Sequence, residues 1–325
     1  MSSHLMNRSF VRRGLALIGA LALVVVSACA PAERTETTPY RTFATPEEAV
    51  DALAAATKAG ELDALIAIFG PEGRELAASS DPATARMNRQ VFLVASRERK
   101  QLIEDSPTRR TLVIGNEEWP FPVPIVKEGD RWRFDTETGR EEVIARRIGR
   151  NEMAAIDTSR AYVAAQLRYA AQGHDGKPAG LYAMTFRSDT GKQNGLYWPA
   201  ARRQKLSPLG DLVAQAGRDG TTLPGPTPPT PLRGYFFKIL KEQGAAAPGG
   251  AKNYVAKNVM SGGFALVAWP AEYDVTGVMT FIVGPDGVVR EQDLGPKTDA
   301  LAPAITVFNP DESWAAVDEV AQLPR

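Results

Sequence analysis

The residues able to do chemistry are few. The chain carries one cysteine, Cys29, and two histidines, His4 and His174. A Cys/His zinc site or a Cys–His dyad needs more partners than these, and a Ser-His-Asp triad in the body of the chain would rest on His174 alone. No disulfide can form from a single thiol. The carboxylates that draw attention are Asp189, Glu272 and Asp293, which fall among glycines and aromatic rings. Two carboxylates suffice for a hydrolase, one as acid and one as base or nucleophile, when they stand roughly 5–10 Å apart. The same residue types also cap turns in water. Tyr197-Trp198 and Trp269 with Tyr273 supply rings that either line a binding groove or fill a core. Gly191-Lys192 hints at a phosphate loop, but Phe186 stands where the first glycine belongs and Gln193 replaces Ser/Thr. His174-Asp175-Gly176 reads as an exposed turn rather than a metal ligand. These residues predict no catalytic constellation, no metal and no cofactor.

Around Cys29 the pattern points to place rather than reaction. Met1–Arg13 carries Arg8, Arg12 and Arg13 and no acid, and Gly14–Ser27 is almost wholly apolar. That run has the length of a signal-peptide core and is too short to span ~30 Å of hydrocarbon. It ends in Val26-Ser27-Ala28-Cys29, which resembles a bacterial lipobox. The resemblance implies a thioether-linked lipid on Cys29, cleavage before it, and acylation of the new amino group. Stable anchoring requires more than one acyl chain. An uncleaved anchor and an ordinary signal peptide are the alternatives. Arg12-Arg13 is a poor match to a twin-arginine signal, and Met6 is an alternative start. Ala30 rather than aspartate follows the cysteine, a pattern that leans toward the outer membrane. Residues 1–28 are therefore read as a lipoprotein signal peptide and 29–40 as a polar tether, and the mature protein is expected in the periplasm.

The elements that must position the remaining residues suggest two domains, 41–149 and 150–325, as the length also does. With 44% hydrophobic residues the chain can bury real cores, and its formal net charge is zero. No basic face of the kind nucleic acid requires is visible, and no second apolar run approaches membrane length. Thr45-Pro46-Glu47-Glu48 opens a helix with a cap and a capping box, and Gly60 ends it. Leu62, Leu65, Ile66 and Phe69 repeat at helical spacing up to Gly70-Pro71. A third helix is expected over Pro82–Ile103, with Val91, Val94 and Leu102 inward. Leu112–Ile114 reads as a strand. Val123–Val126 and Trp132–Phe134 read as a hairpin across Glu128-Gly129-Asp130.

From Thr138 to Gln172 the sequence is helix-forming, broken once by Gly149, where the domain joint is placed. Ser207-Pro208 caps a helix over Leu209–Ala216, and Leu223–Pro231 is an extended, proline-dense connector. Strands are predicted over Tyr235–Leu240, Phe264–Trp269, Val278–Val283 and Val288–Gln292, with a hairpin turn at Gly284-Pro285-Asp286-Gly287. Asn309–Val317 is expected to be a closing helix. The class is α+β: a helical and curved-sheet N-terminal module, a long helix, and an antiparallel-meander C-terminal module.

Several segments recur together in the bacterial "domain of unknown function 2950" family. They include Gly195-Leu196-Tyr197-Trp198-Pro199, Ser207-Pro208-Leu209-Gly210, Gly234-Tyr235-Phe236-Phe237-Lys238-Ile239-Leu240 and Ala247-Pro248-Gly249-Gly250. Gly263-Phe264-Ala265-Leu266-Val267-Ala268, Pro270-Ala271-Glu272-Tyr273, Thr276–Phe281 and Asp293-Leu294-Gly295 belong to the same set. The resemblance spans about Tyr40 to Val317 and implies an exported protein without assigned catalytic residues. Leu232-Arg233 stands where the family pattern has Tyr-His. By element order the N-terminal part is similar to NTF2-like modules. Asn151-Glu152, with the helix and meander that follow, is similar to the head of type IV pilin-like proteins. The expected function is a non-enzymatic, lipid-anchored envelope protein acting as a binding or assembly module. Its expected partners are the membrane, through Cys29, and an envelope protein or glycan. A carboxylate-dependent hydrolase of envelope polysaccharide and a pilus or secretion accessory are the alternatives.

Overall fold

Thr45 opens the first helix, α1 (Pro46–Ala59), by accepting the Glu48 N–H at 3.2 Å, while the Glu48 carboxylate accepts the Ala44 N–H at 2.9 Å. Gly60 closes it with a φ of 71°, the left-handed conformation that suits glycine at this position. The computed structural model describes residues 40–74, 82–199, 206–218 and 230–317. The expected signal peptide, Cys29 and nearly all of the tether lie outside the described residues, as does most of the Leu223–Pro231 connector.

α2 (Leu62–Phe69), a 3₁₀ turn at Pro71–Gly73 and α3 (Pro82–Glu98) follow. α3 is shorter than its expected span, because residues 100–106 form a strand. The turn at Pro107-Thr108 folds β1 (Lys100–Ser106) back on β2 (Arg109–Ile114), so a polar stretch that could have continued the helix gains a ladder partner instead. α3 is also rotated from its expected orientation. Phe92 and Ser96 are buried, whereas Val91 and Val94 are 62% and 55% exposed. β3 (Trp119–Pro120), β4 (Ile125–Glu128) and β5 (Arg131–Phe134) complete an antiparallel sheet in the order β1-β2-β4-β5, with β3 on β2. Leu112, Ile114, Ile125 and Phe134 form its buried face beneath α1 and α2. The Phe134 ring meets Phe69 edge-on at 5.2 Å.

α4 (Thr136–Ala170) is one unbroken helix of 35 residues, about 52 Å long. The expected break at Gly149 is absent, since an interior glycine costs only about 1 kcal/mol and good helix formers flank it. At its start the Thr136 hydroxyl donates to the Phe69 carbonyl, and Gly139 lets Val123 approach closely. Its later turns bury Ala155, Ile156, Tyr162, Val163 and Gln166 in a second cluster. Val143, Ile144 and Ile148 are half-buried.

That second cluster is organised by a meander. After α5 (Gly210–Arg218) come β6 (Tyr235–Leu240), β7 (Glu242–Gln243), β8 (Lys252–Asn253), β9 (Val255–Ala256), β10 (Val259–Met260), β11 (Ala265–Pro270), β12 (Met279–Val283) and β13 (Val289–Asp293). α6 (Thr298–Ala304) and β14 (Ala315–Ala316) end the described chain, and the main sheet runs β14-β13-β12-β11-β6, all antiparallel. The Gly284–Gly287 turn joins β12 to β13. Directly opposed residues share a face, so Phe237, Ala268, Phe281 and Glu291 form one row across the sheet. On the opposite face the Lys238 ammonium donates to the Pro303 carbonyl of α6.

The expected closing helix over Asn309–Val317 is not formed. Asp311 takes both the N–H and the hydroxyl of Ser313 into a local turn, and Ala315 pairs with Glu291 at the sheet edge. Such side-chain-to-backbone bonds compete directly with helix. The described residues from Tyr40 onward form one compact unit holding both clusters. Helices with antiparallel sheets make the class α+β.

Candidate functional site

Three places in the fold gather the residues able to do chemistry. At the first, α4 grips the loop between β11 and β12. The Glu152 carboxylate accepts the N–H groups of Val278 and Met279 at 2.9 and 3.0 Å, and the Asn151 amide donates to the Thr276 carbonyl at 2.8 Å. The Tyr235 hydroxyl donates to the Met279 carbonyl at 2.9 Å. Burial pushes that phenol far above its ordinary value, helped by the nearby charges of Glu152 and Glu291. Gly277 presents only backbone to the Tyr235 ring, and Gly234, at φ 78°, does the same for Asn151. A side chain at either position would displace its neighbour.

The same corner receives two of the three acids singled out in the sequence. Glu272 is exposed, and its carbonyl closes the turn by accepting the N–H groups of Val275 and Thr276. Tyr273 donates its hydroxyl to Asp293 at 3.3 Å, and the other oxygen of Asp293 accepts the Gly295 N–H at 2.7 Å. Burial and then the bond to Asp293 raise the Tyr273 phenol. Asp189 lies in a different turn, bonded to the Asn194 amide at 2.8 Å and the Lys192 ammonium at 3.1 Å. Those two partners hold its carboxyl below the usual range.

The second place is aromatic. His174 is 9% exposed rather than an exposed turn residue. Its ring stacks on Tyr169 with centroids 4.1 Å apart and lies 5.6 Å from Trp198 at a tilt. Nε2 stands 3.0 Å from the Tyr169 carbonyl, an acceptor, so that nitrogen carries the proton. Nδ1 is 3.5 Å from the Gln193 amide oxygen, and Asp175 takes the Gln193 N–H at 2.9 Å. The rings pull the turn inward, a tertiary effect that spacing does not report. Trp198 and Trp269 are both buried, the latter against Phe236 at 5.7 Å. Tyr197 and Tyr273 stay half-buried, with the Arg187 guanidinium over the Tyr197 ring.

The third place went unseen in the sequence. A groove of about 220 Å³ lies between α1, α3 and β1, lined by Ala54, Ala55, Lys58, Leu93, Ser96, Arg97 and Lys100. Its residues are scattered over three elements, and only the fold brings them together. Among the described residues no group of three or more His, Cys, Asp or Glu side chains is placed to hold a metal ion. No described helix is long and apolar enough to cross a membrane.

Taken together, this is an α+β protein in which a long helix is clasped by polar side chains onto an antiparallel meander, next to a smaller helix-and-sheet cluster. Residues 40–317 match the family described as Protein of unknown function (DUF2950), and the chain belongs to that family. No curated protein and no solved structure matches it.

Proposed function

We propose that the chain is an exported lipoprotein, held by lipid on Cys29 at the periplasmic side of the outer membrane, whose body binds or assembles other envelope components. The observation that carries the reading is the basic, apolar and small-residue succession ending in Val26-Ser27-Ala28-Cys29, just before a body that begins at Tyr40. Support for a binding rather than catalytic body comes from how its reactive side chains are used. Asp189 and Asp293 close turns, Glu152 holds a strand end, and His174 is stacked on Tyr169 and donates to its carbonyl.

The test is fractionation of native protein beside a Cys29→Ser variant, with a radiolabelled fatty acid. The native chain should carry label and pellet with membranes, and the variant should lose the label. Soluble, equally processed and unlabelled protein in both cases would remove the anchoring claim.

A further inference from the structure

The groove between α1, α3 and β1 combines two chemistries seldom left open together. Its floor is apolar, from Ala54, Ala55 and Leu93, and its rim carries Lys58, Arg97 and Lys100. The buried Ser96 hydroxyl is already satisfied by the Phe92 carbonyl at 2.6 Å, so the charge open to a ligand is that of the exposed cations. Lys58 and Arg97 have no carboxylate partner among the described residues. Lys100 pairs with Asp51 at 3.3 Å, but both side chains are well exposed, and such a pair is worth little and exchanges easily. Beside the rim, on the outward side of α3, Val94 and Val91 stand in solvent. Val94 is one turn before Arg97 and continues the groove's rim, and Val91 lies one turn further back on the outward side of α3.

We propose that this groove seats the phosphate heads of anionic phospholipids, with Val91 and Val94 resting among the headgroups, so that the body lies on the bilayer by this face. A free anion would satisfy the cations and leave the valines wet. An apolar peptide would cover the valines and bury unpaired charge. A surface offering both phosphate and hydrocarbon meets both needs. The volume suits a headgroup rather than a whole acyl chain. The inference rests on the envelope reading above, in which residues 30–39 separate the lipid from the body.

The test reads the groove and not the anchor. The full chain is placed in nanodiscs of phosphatidylcholine, with or without phosphatidylglycerol, and amide hydrogen exchange is followed over residues 54–58 and 90–100. Slower exchange in both segments is expected only with phosphatidylglycerol. The joint variant Lys58→Gln, Arg97→Gln, Lys100→Gln should lose it. Each cation is expected to contribute about fivefold in surface affinity, so the three together give roughly a hundredfold. These side chains lie at the surface, and a single Lys58→Glu variant with native melting guards against misfolding. Equal protection on phosphatidylcholine, or protection that survives in either variant, would overturn the proposal. Equal protection by inorganic phosphate in phosphatidylcholine discs would overturn the lipid assignment in favour of a free anion. Failure of anchoring would appear in the fractionation of Cys29→Ser and leave this readout intact.

Discussion

In the first cluster, Leu112, Ile114, Ile125 and Phe134 close a core whose buried hydroxyls mostly bond within their own helices, Thr57 to the Leu53 carbonyl and Ser96 to that of Phe92. In the second cluster Ser159 also bonds within its own helix, to the Ala155 carbonyl, but several buried polar groups reach beyond their own element. Gln166 holds both the N–H and the carbonyl of Ala183, Tyr162 donates to Ala265, and Gln243 clamps Pro248 and Gly250 while accepting from Tyr254. The first core is therefore specified chiefly by apolar pattern. The second also fixes the path of its loops by donors and acceptors that become costly if left alone in the interior.

The largest expected effect separates the two regions by pH. Burial raises the phenols of Tyr162, Tyr235 and Tyr254 well beyond their ordinary value, and that of Tyr169 from 10.0 to about 12; all four belong to the second cluster. Above pH 10 the unfolded chain releases these protons while the folded chain keeps them. The folded state then binds more protons, and stability falls as pH rises. The contribution is whole below the unfolded value and is lost through the folded ones. Tyrosinate absorbance should rise between pH 10 and 12 together with proteolytic cleavage in the second cluster, while the first still resists. Simultaneous cleavage of both clusters would break the comparison.

Next in size, Phe134→Ala should cost about 3–5 kcal/mol in denaturant unfolding, since it empties the centre of the first core and removes the ring against Phe69. Smaller is the effect of Gln166→Met, roughly 1–3 kcal/mol, because the shape is kept while the Ala183 N–H and carbonyl lose their partner. Its counterpart Ser96→Ala in the first core removes only a hydroxyl bonded within its own helix and should cost about 1 kcal/mol or less. If Ser96→Ala proved as costly as Gln166→Met, the distinction between the cores would dissolve.

What was legible in the sequence follows the same division. The Thr45 cap, the four main strands of the meander and the Gly284–Gly287 turn were readable, because each is announced by local chemistry or by alternation over several residues. β1 was not, because apart from Leu102 and Ile103 its residues are polar and become a strand only by folding over Pro107-Thr108 onto β2. Asn309–Val317 carries helix signals that the Asp311–Ser313 bonds and the pairing with β13 override. Of the chemistry, the acids and rings were visible as residue types. The role of Glu152 and the groove beside α3 depend on partners tens of residues away, and the burial of His174 depends on Gln193 and Trp198 as well as on nearby Tyr169, which no local pattern records.

Gly149 stands near the middle of α4, with no side chain of its own, and a Cβ placed there would meet nothing beyond its own helix within 4 Å among the described residues. The helix is gripped on both sides of this glycine, by Phe69 and Val123 near its start and by the meander from Asn151 and Glu152 onward. A rod loaded at both ends yields where its stiffness is lowest, and glycine makes helical hydrogen bonds cheapest to part by about 1 kcal/mol. A bending load between the two cores would thus be taken up at Gly149 before it disturbed either of them.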